Sequence, residues 1–330
     1  MNQNSQIKFI DLCSGIGGFH LGLKDFKCIL ACDKNKYCRE SYKNNYLMEC
    51  EEDIFDINVE NMNSFDILCA GFPCQPFSSA GLKKGMSDKR SDVYGKISEI
   101  INNKHPKIIL LENVKNLVSI NKGVPFKKII EGLEENYYVS YSILNTSNFG
   151  LAQNRERIFI VCVSKTYYKT TFDFNKLNRI KITKYLKDII DLTNTDYIST
   201  EKYVLLEDDK IKKQKSGLIF CGYIKGNKRK NGVLPNTEHL SRVHRQPNRI
   251  YSINGVHPTL SSSERSGRYY IYDGIGVRKL TLDECFKIMG FPIFYKLHTN
   301  NGVNYSQIGN AVSPTIVENI KKELVRQNFI

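Results

Sequence analysis

The chain is 330 residues long, with 41% hydrophobic and 25% charged residues. That balance excludes a disordered tail, a collagen-like rod and a coiled coil, and it leaves ample apolar surface for one large or two modest domains. Lys plus Arg total 48 against 34 Asp plus Glu, a formal net charge of +14, so an anionic partner and a merely solvated basic surface are both open readings. No run approaches the ~18 apolar residues of a membrane helix. The opening MNQNSQIKFIDLCSG has no charged region leading into an apolar run and cleavage site, so a cytoplasmic protein is expected. Cysteines such as Cys69 and Cys162 lie in apolar runs, which fits reduced thiols rather than disulfides.

In chain order, short apolar runs predict buried strands at 7–12, 28–32, 65–70 and 107–111. Helical patterns fall between them at 17–25, 36–46 and 92–104. A helix at 124–135 and strands at 137–144 and 157–163 follow. Alternating strands and helices with continuous apolar strands predict an α/β fold whose mostly parallel sheet is covered on both faces. From about residue 180 to 275 the apolar runs shorten and turn signals multiply, as in a smaller, irregular, β-rich domain. NKRKNG (227–232) reads as a charged hairpin turn and SSSERSG (261–267) as a polar loop. Residues 210–249 carry 11 Lys/Arg and one acid, Glu238, so +10 of the +14 lies in this stretch. Local clustering of this kind is the footprint of phosphate binding. Helices at 281–290, with a Thr cap and a final Gly, and at 314–326 close the chain.

Four motifs carry chemistry. A Gly-rich turn (Asp11, Gly15, Gly17, Gly18) follows the first strand, and Asp33 ends the second. Such a turn lets a cofactor approach the backbone, and an acid at the next strand end can hold ribose hydroxyls. A tight turn with no ligand would look the same. Asp53 and Ile54 follow a further extended region. GFPCQPFSSAG (71–81) places Cys74 between two prolines just past the third strand, where an exposed thiol could act as nucleophile. LLENV (110–114) puts Glu112 at the next strand end, where a desolvated carboxyl can move a proton. QNRERIFIV (153–161) alternates Arg155, Glu156 and Arg157, so both guanidiniums are expected on one strand face, able to clamp a carbonyl or an anion.

These strings, with RKLTLDECFKIMGFP (278–292) and IGNAVSP (308–314), closely resemble the DNA cytosine-5 methyltransferase family, in the family's order. The resemblance implies a Rossmann-like S-adenosylmethionine-dependent catalytic domain at 1–180 and a target-recognition domain at 181–280. It also implies a hinge at 281–305 and a return to the catalytic domain at 306–330. By resemblance, Phe9, Asp11, Leu12, Ser14, Gly15, Gly17, Gly18 and Phe19 line the methyl donor. Asp33 holds its ribose, with Lys34 beside it, and Asp53 and Ile54 flank adenine. Gly71, Pro73, Val93, Asn310 and Ala311 complete the pocket. Many members place a bulky apolar side chain, often Trp, where this chain has Lys34, which leaves adenine packing to Phe19 or Ile54.

The resemblance further implies that Cys74 attacks cytosine C6, that Glu112 binds N3 and the exocyclic amine, and that Arg157 binds the base carbonyl with Arg155 nearby. No metal is implied. Double-stranded DNA would be met by Gln75, Ser78, Ser79, Lys83, Lys84, Lys89 and Arg90 in a lid. In the target domain Lys228, Arg229, Lys230, Arg242, Arg245, Arg249, Ser261 and Arg265 would meet it. A compact modification enzyme paired with a cognate restriction endonuclease, monomeric and without a membrane partner, is the expected type. The alternatives are a tRNA cytosine-5 methyltransferase, although the Cys-Phe-Thr string usual in that branch is absent from the target region, and a catalytically silent DNA-binding relative. The G-x-G-G spacing disfavours a nicotinamide oxidoreductase.

Overall fold

The structure, a computed structural model, describes residues 6–73, 92–226 and 236–330. The chain divides into two compact units. Unit 1 comprises the chain to Leu144, Glu156–Asn178 and Ala311–Ile330, and unit 2 comprises Asn145–Arg155 and Arg179–Asn310.

Unit 1 is built on six strands: β1 (Lys8–Leu12), β2 (Lys27–Cys32), β3 (Ile67–Ala70), β4 (Ile108–Val114), β5 (Tyr137–Asn145) and β7 (Glu156–Ser164). Their order is β2-β1-β3-β4-β7-β5. The first four run parallel, and β7 is antiparallel to β4. The expected mostly parallel sheet is therefore present. Every residue of β3 is buried, as a sheet covered on both faces requires. The helices of unit 1 are α1 (Gly18–Gly22), α2 (Lys36–Tyr46), α3 (Val93–Lys104), α4 (Val124–Glu134) and α7 (Pro314–Arg326). Ile97, Ile100 and Ile101 share one face of α3 and enter the apolar core. Burying such a side chain contributes roughly 1.5–3 kcal/mol.

The register positions the site. Leu12 pairs with Cys32 and with Ala70, and Ala70 pairs with Leu111. The next residues (Cys13, Asp33, Gly71 and Glu112) therefore stand in a row along the carboxyl edge of the parallel strands, where open α/β sheets bind ligands. At the opposite end of the chain, α7 packs on α1. A Cβ on Gly22 would lie 2.5 Å from Val317 Cβ, so glycine allows that close approach.

Unit 2 holds a five-stranded sheet ordered β13-β12-β10-β9-β8, from β8 (Tyr203–Leu205), β9 (Phe220–Ile224), β10 (Arg249–Ser252), β12 (Tyr270–Tyr272) and β13 (Val277–Lys279). A short parallel pair joins β6 (Gln153–Asn154) to β11 (His257–Pro258). Helices α5 (Leu282–Met289) and α6 (Asn301–Asn310) complete it. Thr281 caps α5 in a reciprocal box with Glu284, and Gly290 ends it at φ 87°. The predicted hairpin turn at 227–232 lies outside the described residues. Helix α6 is not signalled by its own sequence.

The alternation of Arg155 and Arg157 on one strand face is not realised. β6 stops at Asn154 and β7 starts at Glu156, so Arg155 falls at the break. Its N–H donates to Asn145 Oδ1 (3.1 Å) and its carbonyl accepts from Thr146 N (3.0 Å), and these local bonds replace a continuous ladder. No helix among the described residues is long and apolar enough to cross a membrane.

Candidate active site

The turn after β1 is held through its backbone groups, by partners in both main chain and side chains. Gly15 N donates to Asp33 Oδ2 (2.8 Å) and Ser14 N to Cys32 O (3.0 Å). Gly15 and Gly17 adopt φ of 54° and 77°, which glycine permits at little steric cost. Gly18 is needed for a different reason, because a Cβ there would lie 2.2 Å from Val312 O. Phe9, Leu12, Ser14 and Phe19 are buried around the turn. Asp33 Oδ1 accepts from Asn35 N (2.8 Å), and Arg39 Nη1 donates to the carbonyls of Asp33 and Lys34 (both 3.0 Å). Burial raises the Asp33 carboxyl above the usual Asp value, although the Asn35 and Gly15 N–H groups and Arg39 pull the other way.

Asp11 is fully buried. Desolvation lifts it well above the ordinary value, partly opposed by the Tyr42 hydroxyl, which donates to Oδ2 at 3.4 Å. Oδ1 has no hydrogen-bond partner among the described residues. Cys13 and Cys50 are pushed up by burial to about 12 and about 11, so both thiols stay protonated at neutral pH. The nine described cysteines are all free.

Lys34, at the position the family often fills with Trp, extends into solvent and pairs with Asp53 Oδ2 at 3.3 Å. Asp53 Oδ1 accepts from Phe55 N (3.1 Å), which caps a 3-10 turn over Ile54–Asp56. The side chains of Ile54 and Phe19, the two expected to pack adenine, are both buried in the interior.

Glu112 and Arg157 come together. Arg157 Nε lies 3.3 Å from Glu112 Oε1, and both side chains are largely shielded (16% and 9% exposed). The antiparallel register of β4 and β7, with Glu112 opposite Phe159 and Val114 opposite Arg157, brings them within reach. Arg157 Nη1 also donates to Glu156 O at 2.8 Å. The other carboxylate oxygen, Oε2, is 3.9 Å from where a Cβ on Gly71 would be. Asn113 Nδ2 donates to Phe72 O (2.8 Å) and fixes the chain that leaves β3, while Pro73 beyond it is exposed. Phe72 packs on Tyr94 of α3 (5.3 Å), next to Val93. Cys74, Gln75, Ser78, Ser79, Lys83, Lys84, Lys89 and Arg90 lie outside the described residues, as do Lys228, Arg229 and Lys230.

Arg155 has another role than its neighbour. It is 1% exposed, and both terminal nitrogens donate to Gly309 O (3.1 Å each) inside unit 2. Its reading as a partner of Arg157 in the site is corrected by that geometry, since its fork is occupied by the carboxyl end of α6. Arg249 is likewise engaged, with Nε and Nη2 donating to His244 O (3.1 and 3.0 Å). Ser261 Oγ meets Ser263 Oγ at 2.8 Å. Arg242, Arg245 and Arg265 are exposed, as is Asn310, whereas Ala311 is buried. A cleft of 270 Å³ is lined by Arg245, Pro247, Asn248 and Arg268.

Sequence reasoning missed an aromatic cluster behind the Gly-rich turn. His20 Nδ1 meets Tyr42 Oη at 2.7 Å, and the His20 ring stacks on Tyr46 at 4.1 Å. Burial lowers His20 to about 4, so the ring is neutral above that pH. The i, i+4 spacing of Tyr42 and Tyr46 on α2 was the available signal. Among the described residues no group of three His, Cys, Asp or Glu is placed to hold a metal ion.

Comparison with known proteins bears on this site. Residues 7–326 match the family described as C-5 cytosine-specific DNA methylase. The type II methyltransferase M.HhaI of Haemophilus parahaemolyticus is 31% identical, over 96% of this chain and 94% of that protein. M.NgoBI of Neisseria gonorrhoeae, also a type II methyltransferase, is 34% identical over 96% and 92%. The S. pombe Dnmt2 methyltransferase structure shares the fold at TM-score 0.70 and 17% identity, covering 98% of this chain and 99% of that one. With its Glu112–Arg157 pair at the carboxyl edge of the sheet and a family match over nearly its whole length, the chain belongs to the C-5 cytosine-specific DNA methylase family and is a DNA cytosine-5 methyltransferase.

Proposed function

We propose that this chain methylates C5 of a cytosine flipped out of double-stranded DNA, through a covalent bond to Cys74, as the modification enzyme of a restriction–modification system. The observation that carries the reading is the shielded Glu112–Arg157 pair beside Gly71, at the strand edge from which the chain runs on to Cys74.

The residues present fit S-adenosylmethionine as donor. A Cβ on Gly15 would meet no atom of the described residues within 4 Å, so among them the turn faces open space there. Asp33 stands at the next strand end for the ribose, Asp53 follows for the adenine edge, and Asp11 Oδ1 has no hydrogen-bond partner among the described residues. Bound there, the donor supplies an electrophilic methyl group.

Cytosine C5 is a weak nucleophile, and the chain's residues have to activate it. The Cys74 thiolate forms a bond to C6, which pushes an electron pair toward C5 for capture of the methyl group. Glu112 in its protonated form donates to N3 and accepts from the exocyclic amine, so that its proton offsets the negative charge developing on the ring. Arg157, already paired with Glu112, orients it and binds the base carbonyl. Loss of the C5 proton to solvent water then restores the ring and breaks the Sγ–C6 bond, returning its electron pair to the Cys74 thiolate. The chemistry as written calls for no metal ion. A stacked base cannot reach both groups, so the target must leave the duplex at a cost of a few kcal/mol.

Residues 181–280 serve as target-recognition domain, 1–180 with 306–330 as catalytic domain and 281–305 as hinge, although 145–155 and 281–310 fall in the same compact unit as 181–280. Exposed Arg242, Arg245 and Arg265 are the described candidates for DNA contact. The enzyme acts as a cytoplasmic monomer, and a cognate endonuclease cuts the same site without binding it stably.

Duplex DNA with 5-fluorocytosine at the target should form a denaturation-resistant adduct with the enzyme when S-adenosylmethionine is present. Cys74→Ala should abolish both adduct and turnover while retaining DNA binding. Turnover by Cys74→Ala, or methylation of tRNA alone, would overturn the proposal. Bisulfite sequencing of methylated DNA identifies the site.

A further inference from the structure

The turn that opens the proposed donor pocket closes on itself through Gly17 N, which donates to Ser14 O (2.8 Å), and takes its other supports from neighbouring elements. Cys13, Gly15 and Gly17 all have positive φ (53°, 54° and 77°) within five positions. Glycine surrenders the most backbone freedom on ordering, and a cysteine in the left-handed region is strained, so the turn needs support from outside as well. The front half is held by Asp33 and by the carbonyl of Cys32.

The back half has a separate support. Tyr46, the last residue of α2, directs its hydroxyl at Gly17 O (2.9 Å) and Ile16 O (3.2 Å). One proton is shared between two carbonyls of consecutive peptide units. Because each peptide is planar, fixing those carbonyls also fixes the N–H groups of Gly17 and Gly18. The ring is itself immobilised, stacked on His20 at 4.1 Å with 14° between planes and packed on Tyr42 at 4.6 Å. A Cβ on Gly17 would lie 2.2 Å from Tyr46 Cε2, so ring and turn are in direct contact. At its other end α2 holds the Asp33–Lys34 backbone through Arg39. The same helix thus braces both the turn and the ribose acid.

We infer that Tyr46 is a positioning residue for methyl-donor binding, which it serves by clamping the Ile16–Gly17 carbonyls from the far end of α2 without touching the donor. The inference rests on the reading of this turn as the S-adenosylmethionine site.

Tyr46→Phe tests it, because the ring and its stack remain and only the hydroxyl is lost. Calorimetry with S-adenosylmethionine, steady-state kinetics on duplex DNA and thermal melting of the donor-free protein are measured together. The dissociation constant and KM for S-adenosylmethionine should rise roughly three- to tenfold, the scale of one lost hydrogen bond. kcat at saturating donor and KM for DNA should stay at wild-type values, and the melting temperature should change little. Tyr46→Leu, which removes the ring as well, should weaken donor binding further. Unchanged donor affinity in Tyr46→Phe overturns the inference. So does a parallel loss of kcat and melting temperature without a selective effect on the donor. Failure of the wild-type protein itself to bind S-adenosylmethionine would instead overturn the reading of the site.

Discussion

In unit 1 the charged groups of the site stand along one edge of an apolar sheet, Asp33 just past β2 and Glu112 and Arg157 within β4 and β7. In unit 2 a small set of charged groups, Arg155, Glu264, Arg278 and Glu284, is enclosed by the fold. Arg278 and Glu284 are 1% and 2% exposed and bind bidentately at 2.9 and 2.8 Å. Arg278 also donates to Asp191 O (3.0 Å), and Glu284 accepts from the N–H groups of Asp191 and Thr281. Buried Glu264 holds Arg268, and Arg155 and Arg249 are taken up by carbonyls. A basic residue in the charge-rich unit is therefore not a DNA contact by default. Once its donors are satisfied by the fold, it is part of the architecture, and the anion-binding capacity falls to the exposed arginines.

The contrast can be broken most forcefully at Glu284. Glu284→Ala leaves the Arg278 charge buried without its carboxylate, and should cost about 3–5 kcal/mol in denaturant unfolding. A loss no larger than that of a surface substitution would show that unit 2 does not depend on its enclosed charges. The pH dependence follows. Burial raises the Glu284 carboxyl, but Arg278 and two backbone N–H groups outweigh it and hold it below the usual Glu value. Its contribution is thus fully present above the ordinary carboxylate range and is lost as pH falls through the lowered value. The stability gap between wild type and variant should narrow on acidification through that window.

On the unit 1 side, Glu112→Gln should slow methyl transfer by roughly 10²- to 10³-fold at saturating substrates while leaving S-adenosylmethionine affinity intact. A comparable loss of donor affinity would place Glu112 in the donor pocket instead. Gly18→Ala, with its Cβ driven against the Val312 carbonyl, should destabilise unit 1 by about 1–3 kcal/mol and weaken donor binding. Unchanged melting would mean that the contact relaxes. The smallest effect separates two arginines of unit 2. Arg245→Gln should flatten the dependence of log Kd for duplex DNA on log salt by about 0.9, one phosphate contact. Arg249→Gln should lower stability through the lost His244 contact. If Arg249→Gln changed only the salt slope, the distinction between exposed and enclosed arginines would fail.

Much of the fold could be read in advance where the signal is local. The strands of unit 1 are continuous apolar runs, and α2, α5 and α7 fall within a residue or so of their expected spans, because caps such as Asn35, Thr281 and Gly290 act over a few residues. Helix α6 gave no such sign. Its sequence, NGVNYSQIGN, has three Asn, two Gly and little apolar periodicity. It is held by tertiary contacts instead: Asn304 is buried with bonds to His298 N and O (2.9 and 2.7 Å), and a Cβ on Gly309 would lie 2.4 Å from Ser262 N. The Tyr46 clamp was missed for the same reason, since its acceptors lie 29 and 30 residues away.

The class of fold, the order of the motifs and the chemically competent side chains near the ends of the parallel strands are written in local sequence, since strand ends and turns are set by neighbouring residues. Only the tertiary structure decided which of those side chains meet. Glu112 finds Arg157 through the pairing of β4 with β7. Arg155, two positions away, is claimed by a carbonyl 154 residues further along the chain. The two guanidiniums are chemically identical, and long-range packing, which no local pattern encodes, gave them different partners.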